Sequence, residues 1–589
     1  MLAVAISWIA ILIVFLSFGD FLILLYNKLC KRDERYGFAD TFLLGMCFTL
    51  IPLSLTSLWL PSNQYILLSY LLLCIIYWGI RKDHFVSVLR SVRVRISQYS
   101  FLQILFFIIP VISIMAVIVW QVGVFDSLYY HQQNIRWNEE YAVVPGLGNI
   151  EHRFGFNSNY LLLSAIFSFR FIFGEAVYGL QALVLVVIIC WIIQEIIQSG
   201  YEIRRVMLLL VFTGYIFIFG YTLTATSTDA IPNIVAFYLI AKLLLLSEQL
   251  KRKALLLVVV PVSMITFKLS MIGLGFISLY VAYILVKEYR YKDVILTVGI
   301  SFLIVALWCI RNVIITGYLV FPLNEIDLFS VDWKMPEAVA IEERDFILTC
   351  GILALKDAWV FLNIFADHIS LKGIITHDGV YLSMAASIIL SPFVVLYCLL
   401  KKKYLGKGIY LAYLVLVSLV LIWYKGGPDP RFLGGVLFAF VFFTAFLLLS
   451  TKEERCFRWV GMMFLSVFMC LMIIWPVTRT IRFYDMFGLW NKKEGVRPAS
   501  DALVKQYPYR ELLKSRRFYI DEFLPYQLSN TITIYSSKSP EIPNGRFVCF
   551  DAPFPCIVLK ADNPMKYQYI SNIEPRGTTI QDGFRPKIK

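Results

Sequence analysis

One stretch of the chain gathers groups able to move a proton: Asp126-Ser127-Leu128-Tyr129-Tyr130-His131, then Arg136-Trp137-Asn138-Glu139-Glu140, then Glu151-His152-Arg153. Asp126 follows directly on an apolar run. At such a low-dielectric boundary the charged form is disfavoured, which pushes a carboxyl pKa up, towards the range a general base needs to take a proton from a hydroxyl. His131 is five residues on, so on an α-helix it lies on a neighbouring face rather than above Asp126. The structural alternative is that Asp126 caps a helix starting at Ser127, worth about 1 kcal/mol.

Three cations stand at the ends of apolar runs: Lys268 in Thr266-Phe267-Lys268-Leu269-Ser270, Arg311 in Trp308-Cys309-Ile310-Arg311-Asn312, and Arg431 in Pro428-Asp429-Pro430-Arg431-Phe432. Such cations suit a phosphate or pyrophosphate held at a membrane surface, arginine binding its oxygens in pairs. Anchoring to lipid headgroups is the plainer role for any one of them. Asp229 follows Thr224-Ala225-Thr226-Ser227-Thr228 and precedes Pro232. That pattern reads first as a capped helix entry and second as a site for sugar hydroxyls or a metal. His131, Arg136, Glu139, His152, Arg153 and Asp229 are the candidates for contacting a polar substrate. The chain has no CxxC pair and no Cys/His cluster with zinc spacing, so no structural metal is indicated. A divalent ion remains an option, and no cofactor is required.

The elements that must position these residues are membrane helices. The 589 residues are 59% hydrophobic and 16% charged, with a mean hydropathy of +0.72. Apolar runs near twenty residues recur along most of the chain, which indicates an all-α polytopic membrane protein of about fourteen spans. The expected spans are 3–27, 38–60, 64–80, 101–120, 176–197, 206–223, 231–249, 254–267, 269–287, 293–316, 379–400, 408–424, 432–450 and 458–478. The net charge of +14 resides largely in short basic segments on alternate loops, among them Arg81 to Arg95, Lys251-Arg252-Lys253 and Lys401-Lys402-Lys403. Positive-inside topology accounts for that pattern, and nucleic acid is not expected as a partner. Every long loop then faces away from the cytoplasm. In a bacterial cell this is a multi-pass inner-membrane protein with both termini in the periplasm. Asp20 and Lys242 fall inside spans but near their inner ends, and read as structural.

Residues 1–100 carry the first spans. Residues 101–478 form the main module, with outer loops 121–175 and 317–378. In the first loop the stretch Tyr160 to Gly174 is too short to span and reads as an interfacial helix; the second reads as a loop with short interfacial helices. In 479–589 apolar density drops and β-rich runs appear (Thr531 to Tyr535, Arg546 to Phe550), suiting a small α/β periplasmic domain. Cys549 and Cys556 flank Asp551-Ala552-Pro553-Phe554-Pro555 there; in an oxidising compartment they either close a disulfide loop or stay as two separate cysteines.

An aspartate just after a span, opening the first large outer loop ahead of further spans and a C-terminal soluble domain, resembles the GT-C superfamily of integral-membrane glycosyltransferases. His131, Pro145-Gly146-Leu147-Gly148-Asn149 and the Cys549–Cys556 tail look like a bacterial branch of that superfamily. The resemblance implies a sugar donor on polyprenyl phosphate, a glycan or lipid-linked acceptor, Asp126 as general base, and Lys268, Arg311 and Arg431 at the donor phosphate. The chain departs from the pattern in having three spans ahead of the one before Asp126 and no Asp-x-Asp or Trp-Trp-Asp motif. Two other classes need many spans and large outer loops. A polysaccharide polymerase or ligase would rely on late-loop arginines, and a lipid-linked glycan transporter would show more paired charge at mid-span.

Overall fold

Long apolar runs in a chain of this composition fold as helices because lipid offers the backbone no other hydrogen-bonding partner. The computed structural model follows that rule and is 76% helical. It describes residues 1–120, 126–245, 250–361, 377–401, 405–449, 458–487, 501–506, 522–538, 549, 553–557 and 572–587. The first helices are α1 (Leu2–Cys30), α2 (Phe38–Thr56), α3 (Gln64–Ile80), α4 (Lys82–Ser97) and α5 (Phe101–Val119).

Among the described residues, 11 helices are long and apolar enough to cross a membrane, or 12 if α3 and α4 count as one bent span. This is compatible with a multi-pass membrane protein. Each expected segment has a helix, and three have fewer than 18 described residues: α3 with 17, Ala230–Leu245 with 16 and Ala254–Phe267 with 14. At 1.5 Å per residue the last is about 21 Å long, against a hydrocarbon core of about 30 Å. The cause is local. Hydroxyls and Asp229 interrupt the chain before Ala230, and Lys268 interrupts it after Phe267. Both helices stop at one ion pair, Lys268 Nζ with Asp229 Oδ1. Those charges therefore sit inside the bundle rather than out on a loop.

Close helix packing is bought with small residues. A side chain on Gly45 of α2 would overlap the carbonyl oxygen of Phe15 on α1, and one on Gly19 would overlap that of Thr41, so the two backbones touch without side chains between them. Three other aspartates in the bundle are paired, which offsets the cost of their burial. Asp40 meets Lys242 at 3.4 Å and Lys253 at 3.2 Å. Asp293 accepts from Arg290, Arg32 and Tyr26 at 2.5, 3.0 and 2.5 Å. Asp20 accepts from Tyr77 and Arg81.

The outer loops differ from expectation. Tyr160 to Gly174 is not one interfacial helix. Asn159–Ile166 is a helix with all eight residues buried, and a four-residue turn follows at Arg170–Phe173. Polar bonds draw the first piece inward: Ser158 Oγ donates to the Phe267 carbonyl at 2.8 Å and Asn159 Nδ2 to Thr266 Oγ1 at 2.7 Å. Phe169, with φ 51°, then turns the chain. Among the described residues of the second loop there is a 25-residue helix, Glu337–Phe361, longer than the short ones expected, while 362–376 lie outside the described residues.

In the tail, β1 (Glu522–Gln527) pairs antiparallel with β2 (Thr533–Lys538), Phe523 facing Ser537. β3 (Ile573–Pro575) pairs with β4 (Phe584–Pro586) in the same sense. Of the expected strand Arg546 to Phe550, only Cys549 is described. The tail docks on the loop 121–175, Phe584 N donating to the Pro145 carbonyl at 2.9 Å.

Candidate functional site

Asp126 opens a π-turn, Ser127–His131, in which the Gln132 amide donates to the Ser127 carbonyl. The wider i→i+5 turn, a geometry common at functional sites, brings residues five apart closer to one face than an α-helix does. Asp126 and His131 are therefore nearer neighbours than α-helical geometry predicts. The Asp126 side chain makes no capping bond to this turn, so its carboxylate is directed elsewhere.

It is directed at two guanidiniums. Arg431 Nη1 lies 3.0 Å from Asp126 Oδ2, and Arg153 Nη1 lies 3.6 Å from Oδ1. Arg431 is the hub: its Nε is also 3.3 Å from Asp429 Oδ2 and 3.8 Å from Asp229 Oδ2. Asp229 in turn holds Lys268, whose ammonium sits 3.6 Å from the centre of the Phe432 ring. Three aspartates and two cations from four distant parts of the sequence thus form one ion network. The local backbone is built for it. Asp429 Oδ1 accepts from the Arg431 amide at 2.8 Å, fixing the 3-10 turn Pro430–Leu433. Asn233 Oδ1 accepts from the Gly435 amide at 2.9 Å. Position 435 must be glycine, because a side chain there would overlap the Asn233 carbonyl.

The electrostatics reverse the expectation for Asp126. Burial does push its carboxyl up, but Arg431, His131 and Arg153 outweigh that and hold it below the usual carboxylate range. It is ionised at neutral pH. Burial lowers the His131 pKa to about 4, so that imidazole is neutral. Among the described residues neither of its ring nitrogens has a hydrogen-bond partner.

Arg153 links the network to a second one. Its Nε is 3.7 Å from Glu343 Oε1, and His152 stands between Glu151 at 3.2 Å and Glu343 at 2.5 Å. Burial disfavours the His152 imidazolium, yet the two glutamates raise its pKa. The Arg153 guanidinium packs over the rings of Tyr129, Tyr130 and Phe346.

Of the residues singled out in the sequence, the structure thus brings together Asp126, Asp229, Lys268 and Arg431, with His131, His152 and Arg153 around them. It adds Asp429 and Glu343. Other candidates lie apart. Arg136 pairs with Glu140 at 3.5 Å and packs over Phe554, and Glu139 pairs with Arg170 at 2.7 Å. Arg311, 2% exposed, donates to Ser57 Oγ at 2.5 Å, Asn138 Oδ1 at 2.7 Å and Asn157 Oδ1 at 3.2 Å. It is a strut between α2, the first outer loop and its own helix, outside the ion network. Replacing it (Arg311→Met) should lower stability by about 3 kcal/mol by stranding the buried acceptors on Ser57 and Asn157 and the half-buried one on Asn138. A thermal melt in detergent checks this; an unchanged Tm would return Arg311 to the list of ligand-binding cations. Among the described residues no group of three or more His, Cys, Asp or Glu side chains is arranged to hold a metal ion.

The tail reaches the π-turn directly. Cys549 and Cys556 are joined by a disulfide, their Cα atoms 5.7 Å apart, and pack against Tyr129. The Cys549 amide donates to the Leu128 carbonyl at 3.0 Å. Gln133 accepts from the Cys556 amide at 3.0 Å and donates to the Pro553 carbonyl at 3.1 Å. A seven-residue loop of this kind stabilises its fold by about 2–3 kcal/mol. Cys549→Ser should therefore speed hydrogen exchange at residues 127–133, read by mass spectrometry against wild type. Unaltered exchange there would mean that the tail only rests on the turn.

Neither a curated protein nor a solved structure matches the chain. A family model matches residues 1–438, a span that holds Asp126, Asp229, Lys268 and Arg431 and stops short of the disulfide. The chain therefore belongs to the family described as a domain of unknown function, DUF8201.

Proposed function

We propose that this protein is a GT-C-like glycosyltransferase. It moves a sugar from a polyprenyl-phosphate-linked donor to a glycan or lipid-linked acceptor on the periplasmic face of a bacterial inner membrane. The observation that carries this reading is the 3.0 Å contact of Asp126 with Arg431, a carboxylate able to accept a proton beside a guanidinium able to bind phosphate oxygens. The acceptor hydroxyl gives its proton to the Asp126 carboxylate as its oxygen bonds to the anomeric carbon. The bond from that carbon to the phosphate oxygen breaks, and the phosphate leaves with the electron pair. Arg431 and Lys268 offset the growing phosphate charge.

The resting ion pairs fit a site that waits for an anion. A donor phosphate competes with Asp126 for Arg431, and an Asp126 that loses this partner becomes a stronger base. The recessed Asp229–Lys268 pair, at the ends of two short helices, suits a donor that arrives within the bilayer. The test is transfer of labelled sugar from polyprenyl-phosphate sugars in a membrane lipid extract by the purified chain. No transfer across such donors would sink the reading.

One observation favours a second reading. Arg431, and not Asp126, is the hub that touches three carboxylates. A polysaccharide polymerase or ligase, which acts on whole lipid-linked units through late-loop arginines, would place its chemistry there.

A further inference from the structure

Away from the ion network, α3 and α4 meet at 93°. The corner is pinned by an aspartate inside the first helix. Asp20 accepts from the Tyr77 hydroxyl at 2.5 Å and from Arg81 at 3.2 Å, and faces His84 Nε2 at 3.1 Å. Trp78 stacks on the His84 ring, the planes 13° apart, and donates to Ser17 Oγ at 2.8 Å. These contacts fix α4 across the axis of the helix it follows. Asp20, read from sequence as structural, has this as its task.

No residue of α4 is buried. Phe85, Leu89, Val92 and Ile96 recur at steps of four, three and four, the spacing of one helix stripe. They are 38–52% exposed. Lys82, Arg90, Arg93 and Arg95 accompany the stripe against a single acid, Asp83. An apolar stripe with basic flanks, set at a right angle to the apolar helix α3, has the geometry of a helix lying in the lipid–water interface. Its aliphatic stripe enters the acyl boundary, and its long basic side chains reach up to headgroups.

We propose that α4 is a lipid-binding element that takes anionic headgroups through Lys82, Arg90, Arg93 and Arg95 while Phe85, Leu89, Val92 and Ile96 enter the acyl layer. The occupant follows from charge complementarity. Among the described residues the cations carry no acidic counterpart beyond Asp83, and a bilayer containing phosphatidylglycerol supplies one alongside an apolar phase. This inference stands independently of the transferase reading, because none of these residues belongs to the Asp126 network.

The test uses the full chain, one copy per nanodisc, in phosphatidylcholine alone or mixed with phosphatidylglycerol. The readout is hydrogen exchange of the amides of residues 82–97. Exchange should slow by about tenfold or more in the anionic discs, since each basic side chain near such a surface favours the bound state by roughly fivefold. R90Q/R93Q/R95Q should abolish the difference between lipids. Equal exchange in both lipids, or a difference that survives the triple substitution, overturns the proposal. If α1 and α2 of the triple variant exchange faster than in wild type, Arg93→Gln alone replaces it, with a roughly fivefold smaller lipid effect expected and no change overturning the proposal.

Discussion

Asp126→Asn should abolish transfer of sugar from a polyprenyl-phosphate donor while leaving expression, detergent melting and exchange in the membrane helices as in wild type. The expected loss in kcat is at least about 100-fold, the low end of what a positioned base contributes. Asparagine keeps the shape and a hydrogen-bonding oxygen for Arg431, which retains Asp229 and Asp429 as partners, so folding is not the casualty. The pH profile adds a readout that a structural role would not move. Arg431, His131 and Arg153 hold the resting Asp126 carboxyl below its usual range against the effect of burial. The acid limb of kcat/KM, which reports the free enzyme, therefore belongs below the range in which an ordinary carboxylate titrates. The limb of kcat, which reports the bound state, belongs higher, because a donor phosphate on Arg431 removes the chief lowering influence. Transfer undiminished in Asp126→Asn would leave a transferase with some other base, and coincident acid limbs would remove the competition between Asp126 and phosphate.

The comparison of sequence with structure turns on what local pattern can carry. Asp126 was visible because a carboxylate beside an apolar run is conspicuous, and the helical class because apolar runs leave the backbone no alternative. The π-turn was not visible: no residue type marks it, and it alters the relation of Asp126 to His131 by changing the hydrogen-bond step. Lys268 and Arg431 were found as cations at helix ends. Their convergence through Asp229 and Asp126 is a tertiary fact, set by how short helices stack, that spacing along the chain does not encode.

What spacing along the chain leaves out has equally local causes. A 14-residue apolar run ended by Lys268 looks like a span until its length is compared with the bilayer. Arg311 shares its apolar flanks with a helix end, and only packing shows that its partners are the neutral Ser57, Asn138 and Asn157. Asp429 was overlooked because it stood next to the more conspicuous Arg431. Glu343 was overlooked because its run of acids reads as loop, whereas it lies on the helix Glu337–Phe361 and closes on His152.

Arg431 is the residue whose replacement separates the transferase reading from the polymerase or ligase reading. Arg431→Gln takes one guanidinium from three carboxylates at once, leaving Lys268 and Arg153 to balance them. Two effects follow for a transferase. The phosphate loses its chief donor, costing about 100- to 1,000-fold in kcat, as loss of a transition-state charge partner does elsewhere. The Asp126 carboxyl also loses the leading cation that depressed it, so the acid limb of kcat/KM should move up in pH. Arg431→Lys restores charge without the paired donors; it should recover part of the rate and return the acid limb towards wild type. That partial rescue distinguishes a working cation from a merely structural hub, for which both variants would simply melt earlier. The decisive combination sets the two positions side by side. Loss of activity in both Asp126→Asn and Arg431→Gln supports one site with a base and a phosphate cation. An inactive Arg431→Gln beside a fully active Asp126→Asn assigns the chemistry to the arginine loop, as a polymerase or ligase requires, and retires Asp126 to the role of counter-ion.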